Sequence, residues 1–146
     1  MSRSREGLSA AGEWHQLKQM FPDLHGKRVL DLGCGIEEYE YPENTWDCVV
    51  SNLALHYVED ISRIFQKVHK TLKPEGVFLF NIEHPTFTAG VEQDWIYAED
   101  GTPKYWPVDN YLIPGERNTH FLGCDVKKYH HTLTQIMMGL LVKASI

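Results

Sequence analysis

The stretch VLDLGCG, residues 29–35, places an acidic residue before two glycines at alternate positions. The apolar residues of 27–32 predict a short buried strand that ends at this point. Gly33 and Gly35 allow backbone torsions that a Cβ would forbid, so peptide N–H groups can approach a ligand closely. Because open α/β sheets bind ligands at the carboxyl ends of their strands, the sequence predicts a binding turn here.

Two histidines follow other predicted strands and have the chemistry of a general base. Residues 46–51 predict a second core strand, and His56 comes shortly after it. Residues 76–82 predict a further strand, which His84 follows directly after Glu83. An imidazole with a pKa of about 6.5 can take a proton from a nucleophile at neutral pH. We therefore treat His56 and His84 as candidate catalytic bases, with packing or capping as the alternative for each.

Other classes of site have little support in the sequence. A nicotinamide-binding loop would need a third glycine where this chain has Glu38. The eight histidines include no His-Glu-x-x-His pair, and the three cysteines include no Cys-x-x-Cys pair. We therefore expect no metal site and no disulfide framework, and we interpret the cysteines as buried thiols: Cys34, Cys48 and Cys124.

The spacing of apolar residues predicts the elements that position these candidates. Residues 9–21 and 59–72 have the three- and four-residue spacing of amphipathic helices. The second of these helices connects two apolar strands, as a βαβ unit of a parallel sheet requires. Further along the chain the sequence predicts a strand that pairs antiparallel at the edge of the sheet, then a helix, then a terminal strand. Their residues are 121–132, 132–139 and 140–146.

Residues 86–123 are rich in turn residues and aromatic rings. A segment of this length without clear periodicity in a compact domain is usually a lid or a binding loop. We therefore expect one domain, residues 1–146, in which 86–123 form an inserted cover over the substrate. Trp95 and Trp106 could shape an apolar substrate pocket, and the alternative is that the aromatic rings form the cover's own small core.

The motif VLDLGCG resembles motif I of the class I S-adenosylmethionine-dependent methyltransferases, in which an acid precedes glycines at alternate positions. The helix at 59–72, the segment Leu-Lys-Pro-Glu-Gly and the strand at 76–82 are also similar to that family. The resemblance implies an α/β, Rossmann-like sheet with helices on both faces. It also implies S-adenosylmethionine as the cofactor and methyl transfer as the reaction.

The resemblance implies which residues lie near the cofactor. After the second core strand, Asn52 and Leu53 would present mainly backbone groups to the methionine part, and Tyr57 is assigned to the substrate side. Near the amino end, Arg3 is a candidate contact for the cofactor carboxylate. Trp14 could offer its ring to the sulfonium, with core packing as the alternative. From the glycine turn the implied contacts are Asp31, Gly33, Cys34, Gly35, Ile36 and Glu37.

The chain departs from the family at two places. Only residues 36–45 separate Gly35 from the second core strand, which leaves no room for a crossover helix. The family has two strand–helix units there, about 50 residues with a ribose-binding acid. A similar gap lies near Gly139. Two alternatives stay open: a methyltransferase whose cofactor-facing segments belong to a longer chain, heavier than 16.9 kDa, or a non-catalytic binding module with an incomplete nucleotide pocket.

Composition limits the class of partner. The formal net charge is −6, and no run of basic residues exceeds two, so a nucleic-acid partner is not expected. No stretch approaches the 18 or so consecutive apolar residues of a membrane span, and the first residues lack a signal-peptide core. We therefore expect a cytoplasmic protein that acts on a small-molecule substrate without binding membranes.

Overall fold

The computed structural model describes residues 14–121 and 123–141. The elements begin with a helix and two consecutive strands, continue with a helix, a strand and a short helix, and end with two hairpins and a final helix. Their bounds are α1 Trp14–Met20, β1 Val29–Asp31, β2 Trp46–Asn52, a 3₁₀ turn Leu55–Tyr57, α2 Ile61–Thr71, β3 Leu72–Asn81, α3 Pro85–Thr88, β4 Ile96–Tyr97, β5 Pro103–Tyr105, β6 Gly115–Phe121, β7 Cys124–His130 and α4 Leu133–Leu141.

The central sheet has three parallel strands in the order β1-β2-β3. In its register Leu30 lies beside Val49, and Val49 lies beside Phe78. All three strands therefore end at the same edge of the sheet, with Asn52 and Asn81 side by side. This arrangement confirms the predicted α/β fold, and it confirms that the segments after Gly33, Asn52 and Asn81 meet at one edge.

Residues 32–45 connect β1 to its parallel neighbour β2 without a helix. The backbone N–H groups of Glu38 and Tyr39 both donate to the carbonyl of Gly35, at 3.2 Å each, which forms a single turn. Three side chains of this connector are buried in the core: Leu32, Ile36 and Tyr41. The Tyr41 hydroxyl also donates a hydrogen bond to the Ile36 backbone carbonyl at 2.6 Å. The missing crossover helix is thus replaced by a short turn whose apolar side chains pack on the sheet.

Helix α2 covers one face of the sheet. It begins after Asp60, whose side chain accepts a hydrogen bond from the Arg63 N–H at 3.0 Å, as an N-cap does. Its buried apolar side chains belong to the same core as the sheet residues Leu30, Val49 and Phe78; they are Ile61, Ile64, Phe65 and Val68. Helix α4 packs against α2 at Gly139, where an added Cβ would lie 3.0 Å from the Phe65 ring. The two helices therefore approach closely at this glycine.

Strands β6 and β7 form an antiparallel hairpin with a polar inner face. Arg117 and Lys128 lie opposite each other in the register, and both are buried. The Arg117 guanidinium donates to the carbonyls of Ala89, Glu116 and Ile113, at 2.8–3.0 Å. These bonds tie the hairpin to the end of α3 and to the segment before β6.

Four sequence predictions are wrong in detail. The strand expected at 121–132 pairs with β6 in a separate two-stranded sheet rather than at the edge of the parallel sheet. Leu140 and Leu141 are helical, so the terminal strand does not begin at 140; residues 142–146 lie outside the described part. Strand β3 begins at Leu72, four residues early, because Leu72 pairs with Trp46 before a register shift. Two cysteines expected to be buried are exposed: Cys34 and Cys124.

In the part of the chain that the structure describes, no helix combines the length and the apolar character needed to cross a membrane.

Candidate functional site

A cavity of about 370 Å³ lies at the carboxyl edge of the parallel sheet, between the glycine turn and the segment that follows β2. We call it the edge pocket. It brings together eight residues that the sequence assigned to a site: Gly33, Cys34, Gly35, Ile36, Glu37, Asn52, Leu53 and Tyr57. Two further lining residues, Glu38 and Ala54, were not assigned, although both directly follow assigned residues in the sequence.

The two glycines of the turn have different structural roles. Gly35 has a φ of +79°, which favours glycine because a Cβ is strained in that region. At Gly33 an added Cβ would meet no protein atom within 4 Å, although the residue lines the edge pocket. Gly35 is therefore required by the backbone, whereas Gly33 leaves open a space that a ligand can occupy.

The opposite wall of the edge pocket begins with a strained residue. Leu53 has a φ of +52°, which is uncommon for a residue with a branched side chain. Its N–H donates to the Asn81 carbonyl at 2.8 Å, and the Asn81 side-chain amide donates to the Asn52 side-chain carbonyl at 3.2 Å. These bonds between the ends of β2 and β3 hold the backbone of Asn52 and Leu53 against the pocket.

A buried polar cluster lies behind Tyr57. The His56 ring contacts the Tyr57 ring, with 4.3 Å between centroids, and His56 Nε2 lies 3.9 Å from Glu83 Oε1. Lys128 Nζ donates to both carboxylate oxygens of Glu83, at 2.7 and 2.9 Å. The sequence reasoning named Glu83 only as a neighbour of His84 and missed Lys128, which lies 45 residues further along and gives no local signal.

One nitrogen of His56 has no hydrogen-bond partner among the described residues. His56 is buried, and its Nδ1 is a buried polar atom without a partner in the described part of the chain. Unsatisfied buried polar groups are rare in folded proteins and often mark a functional position. Desolvation lowers the pKa of His56, while the Glu83 carboxylate opposes this effect and Lys128 adds to it. The imidazole is therefore neutral at pH 7, as a base must be.

His84 lies at the end of β3 and caps α3. Its Nδ1 accepts a hydrogen bond from the Thr86 N–H at 3.2 Å, and the Thr86 hydroxyl lies 2.8 Å away. A neutral imidazole whose Nδ1 accepts a hydrogen bond carries its proton on Nε2. In this geometry the exposed nitrogen of His84 is a donor, so the ring has to leave the cap before it can act as a base.

Aromatic side chains of residues 86–123 form an exposed cluster beside the polar one. The Phe87 and Trp106 rings stack at 4.4 Å with an interplanar angle of 11°, and Trp95 meets Trp106 edge-on at 5.7 Å. The Trp106 indole N–H donates to the Phe87 carbonyl at 3.2 Å. Lys128 Nζ lies 5.8 Å from the centroid of Phe87, so the aromatic cluster adjoins the Glu83 pair.

Of the residues assigned to the cofactor, two lie apart from the edge pocket and one lies outside the described residues. Asp31 is exposed at the end of β1, beside Val50 in the register, and does not line the edge pocket. Trp14 lies in α1 and contacts Phe21, with 6.5 Å between ring centroids. Arg3 lies outside the described residues.

Three buried histidines make the stability of the fold depend on pH. Desolvation lowers the pKa values of His56, His130 and His131 below the usual value of about 6.5. His130 is held between the Thr88 hydroxyl and the Tyr111 carbonyl, and His131 adjoins the Val58 carbonyl, all at 2.8 Å. The folded state therefore binds fewer protons than the unfolded state below that pH.

We expect the free energy of unfolding to be nearly constant between pH 8 and 7 and to fall as the pH drops from about 6.5 to 5.5. The slope is at most about 1.4 kcal/mol per pH unit for each histidine that stays neutral in the fold. Urea unfolding at several pH values measures this slope, in a range above the titration of most carboxyl groups. A free energy that stays level down to pH 5.5 contradicts the burial of these rings.

Comparison with known proteins shows the family of the chain. A family model described as a methyltransferase domain matches residues 22–80. A solved structure of a candidate S-adenosylmethionine-dependent methyltransferase from Listeria monocytogenes is 37% identical, with a TM-score of 0.84 over 92% of this chain and 84% of that chain. An S-adenosylmethionine-dependent methyltransferase from Mesorhizobium loti is 30% identical, with a TM-score of 0.81 over 94% of this chain and 82% of that chain.

A relative from Haemophilus influenzae, described only as an uncharacterized protein, also matches this chain. It is 27% identical over 173 aligned positions, which cover 84% of this chain and 68% of the relative. Because 84% of 146 residues is about 123, about 50 aligned positions have no counterpart in this chain. This number is similar in size to the two strand–helix units that the family resemblance leads one to expect, about 50 residues.

Proposed function

The chain belongs to the class I S-adenosylmethionine-dependent methyltransferases, and we propose that it transfers the methyl group of this cofactor to a small-molecule acceptor in the cytoplasm. The enzyme class and the cofactor follow from the family. The kind of acceptor is our inference. It is supported by the negative net charge, which disfavours nucleic acids, and by the aromatic cluster beside the edge pocket.

The edge pocket is the observation that carries the proposal, because its residues fit the cofactor. The space beside Gly33 would be filled by a Cβ, so a ligand can approach the backbone there. Asn52 and Leu53 present backbone groups on the opposite wall, held by the bonds to Asn81. We infer that these two segments hold the methionine part of the cofactor and that Tyr57 separates it from the acceptor.

The chain's own residues have a limited chemical task in this reaction. The bound cofactor supplies a methyl group already activated by its positive sulfur, so positioning and exclusion of water contribute most of the acceleration. In our proposal, Tyr57 and the aromatic cluster position the acceptor. His56, neutral at pH 7, takes the proton of an O–H or N–H acceptor once the acceptor or the Tyr57 ring has moved to admit it.

Formation of S-adenosylhomocysteine tests this function. The protein is incubated with S-adenosylmethionine and with a panel of small amines, phenols, alcohols and thiols, and the product is measured by mass spectrometry. We expect acceptor-dependent turnover with at least one class. The alternative, a binding module without catalysis, is supported instead if the cofactor binds and no member of the panel is methylated.

A further inference from the structure

The Glu83–Lys128 pair is an ion pair in which the two partners differ in exposure. The Lys128 side chain is 4% exposed, whereas the Glu83 side chain is 21% exposed. Burying an ion pair is costly, and a carboxylate that stays accessible keeps acceptor capacity, because each of its oxygens can accept more than one hydrogen bond. The side of this pair that a ligand can reach is therefore the carboxylate.

The surroundings of Glu83 connect the edge pocket to the aromatic cluster. On one side, His56 lies 3.9 Å from Glu83 and contacts Tyr57, which lines the edge pocket. The Glu83 carboxylate also contributes to a raised pKa of the Tyr57 hydroxyl, after desolvation, which places its charge close to Tyr57. On the other side, Lys128 adjoins Phe87.

The aromatic cluster offers an exposed apolar surface near this carboxylate. Phe87 is 42% exposed and Trp95 is 45% exposed, although aromatic rings of this size are normally well covered. Both contact Trp106, so the exposed surface is continuous. Stacked rings bind flat apolar groups, and a nearby carboxylate accepts hydrogen bonds from N–H or O–H groups.

We propose that Glu83, held in place by Lys128, and the Phe87–Trp95–Trp106 cluster form the acceptor subsite, which selects acceptors that carry an amine or hydroxyl on a flat apolar body. This inference rests on the proposed function, because Tyr57 links the subsite to the cofactor side. Lys128 acts through Glu83 and is a positioning residue. The partly exposed carboxylate disfavours acceptors whose own anionic group would have to lie beside it.

Three probes of nearly equal size test the subsite: benzylamine, benzyl alcohol and benzoate. Each is titrated into the protein saturated with S-adenosylhomocysteine, and the shift of the Trp106 indole N–H resonance gives its affinity. We expect benzylamine to bind at least about tenfold more tightly than benzoate, with benzyl alcohol between them. Equal affinity for benzoate and benzylamine overturns the proposal.

Glu83→Gln isolates the role of the carboxylate, because the amide oxygen can still accept a hydrogen bond from Lys128. We expect this variant to lose the preference for benzylamine over benzoate. Glu43→Gln is the matched control, since Glu43 forms an exposed ion pair with Lys70 on the surface and should leave the preference unchanged. A preference that survives in Glu83→Gln contradicts the assignment.

Two further measurements keep the test decisive. If Glu83→Gln does not fold, the double variant Glu83→Gln with Lys128→Met removes both charges and is titrated in the same way, with the same expected loss of preference. Binding of S-adenosylhomocysteine itself is followed through the amide resonances of the edge pocket. If the unmodified protein does not bind S-adenosylhomocysteine, the proposed function is contradicted. If it binds S-adenosylhomocysteine but does not distinguish benzylamine from benzoate, only the acceptor subsite is contradicted.

Discussion

Gly33→Ala is expected to weaken S-adenosylmethionine binding by about 10- to 100-fold while leaving the thermal stability of the protein nearly unchanged. An added Cβ at this position meets no protein atom within 4 Å, and the backbone there is not in the left-handed region. The methyl group therefore causes no clash or backbone strain in the folded protein. The methyl group instead takes the space in which the cofactor approaches the glycine turn. Isothermal titration calorimetry and a thermal melt measure the two effects.

Gly101→Ala provides the opposite pattern as a control. Gly101 lies in the turn between β4 and β5, far along the chain from the edge pocket, and has a φ of +81°. A Cβ is strained there, so we expect a loss of about 1 kcal/mol in unfolding free energy with unchanged cofactor affinity. The cofactor site is misplaced if Gly33→Ala binds S-adenosylmethionine as tightly as the unmodified protein does.

His56→Gln is expected to lower turnover by about 100-fold or more for an acceptor that has to lose a proton. The buried neutral imidazole is next to Tyr57 and Glu83, and its Nδ1 has no partner among the described residues. Because burial lowers its pKa, activity should be level near pH 7 and fall as the pH drops through that lowered pKa, where the ring becomes protonated. The variant should lose this acid limb.

His84→Gln separates the two candidate bases. Since His84 Nδ1 is occupied by the N-cap of α3, we expect this variant to lose less than about threefold in turnover and to keep the acid limb of the pH profile. The affinity for S-adenosylmethionine should be unchanged in both histidine variants, because neither residue lines the edge pocket. If turnover falls in His84→Gln and not in His56→Gln, the roles are reversed.

Much of the binding edge follows from local sequence. The two glycines after an apolar strand, and the polar residues after the next strand, indicated segments that meet at one edge because parallel strands end on the same side. The βαβ unit was also predictable from local sequence, because α2 has a regular apolar face and an acidic N-cap. Local patterns of this kind depend only on neighbours within a few turns.

The polar cluster could not be predicted in the same way. Lys128 meets Glu83 because β7 packs against the 3₁₀ turn Leu55–Tyr57 and against α3. A residue type that is usually exposed, such as lysine, gives no sign of burial in the sequence. The sequence made His56 a candidate base, whereas its burial beside Tyr57 depends on packing with parts of the chain that are distant in sequence. Cys34, expected to be buried, is exposed because it lies in the turn that lines the pocket.

The short connection between β1 and β2 was predictable in part. The sequence indicated that 36–45 cannot hold a crossover helix, and the structure replaces that helix by one turn at Gly35 with Ile36 and Tyr41 packed into the core. The burial of these two side chains could not be read from the sequence, because the segment has no regular periodicity.

The most direct test of the account is a titration of the ¹⁵N-labelled protein with S-adenosylmethionine, followed by the backbone amide resonances. We expect saturable shifts at Gly33, Gly35, Asn52 and Leu53, and little change in the hairpin of β6 and β7. A second cavity of about 450 Å³ lies between α2 and α4, lined by residues that include Asp60 and His131. Shifts confined to that cavity, or no shifts at millimolar cofactor, would contradict the assignment of the edge pocket.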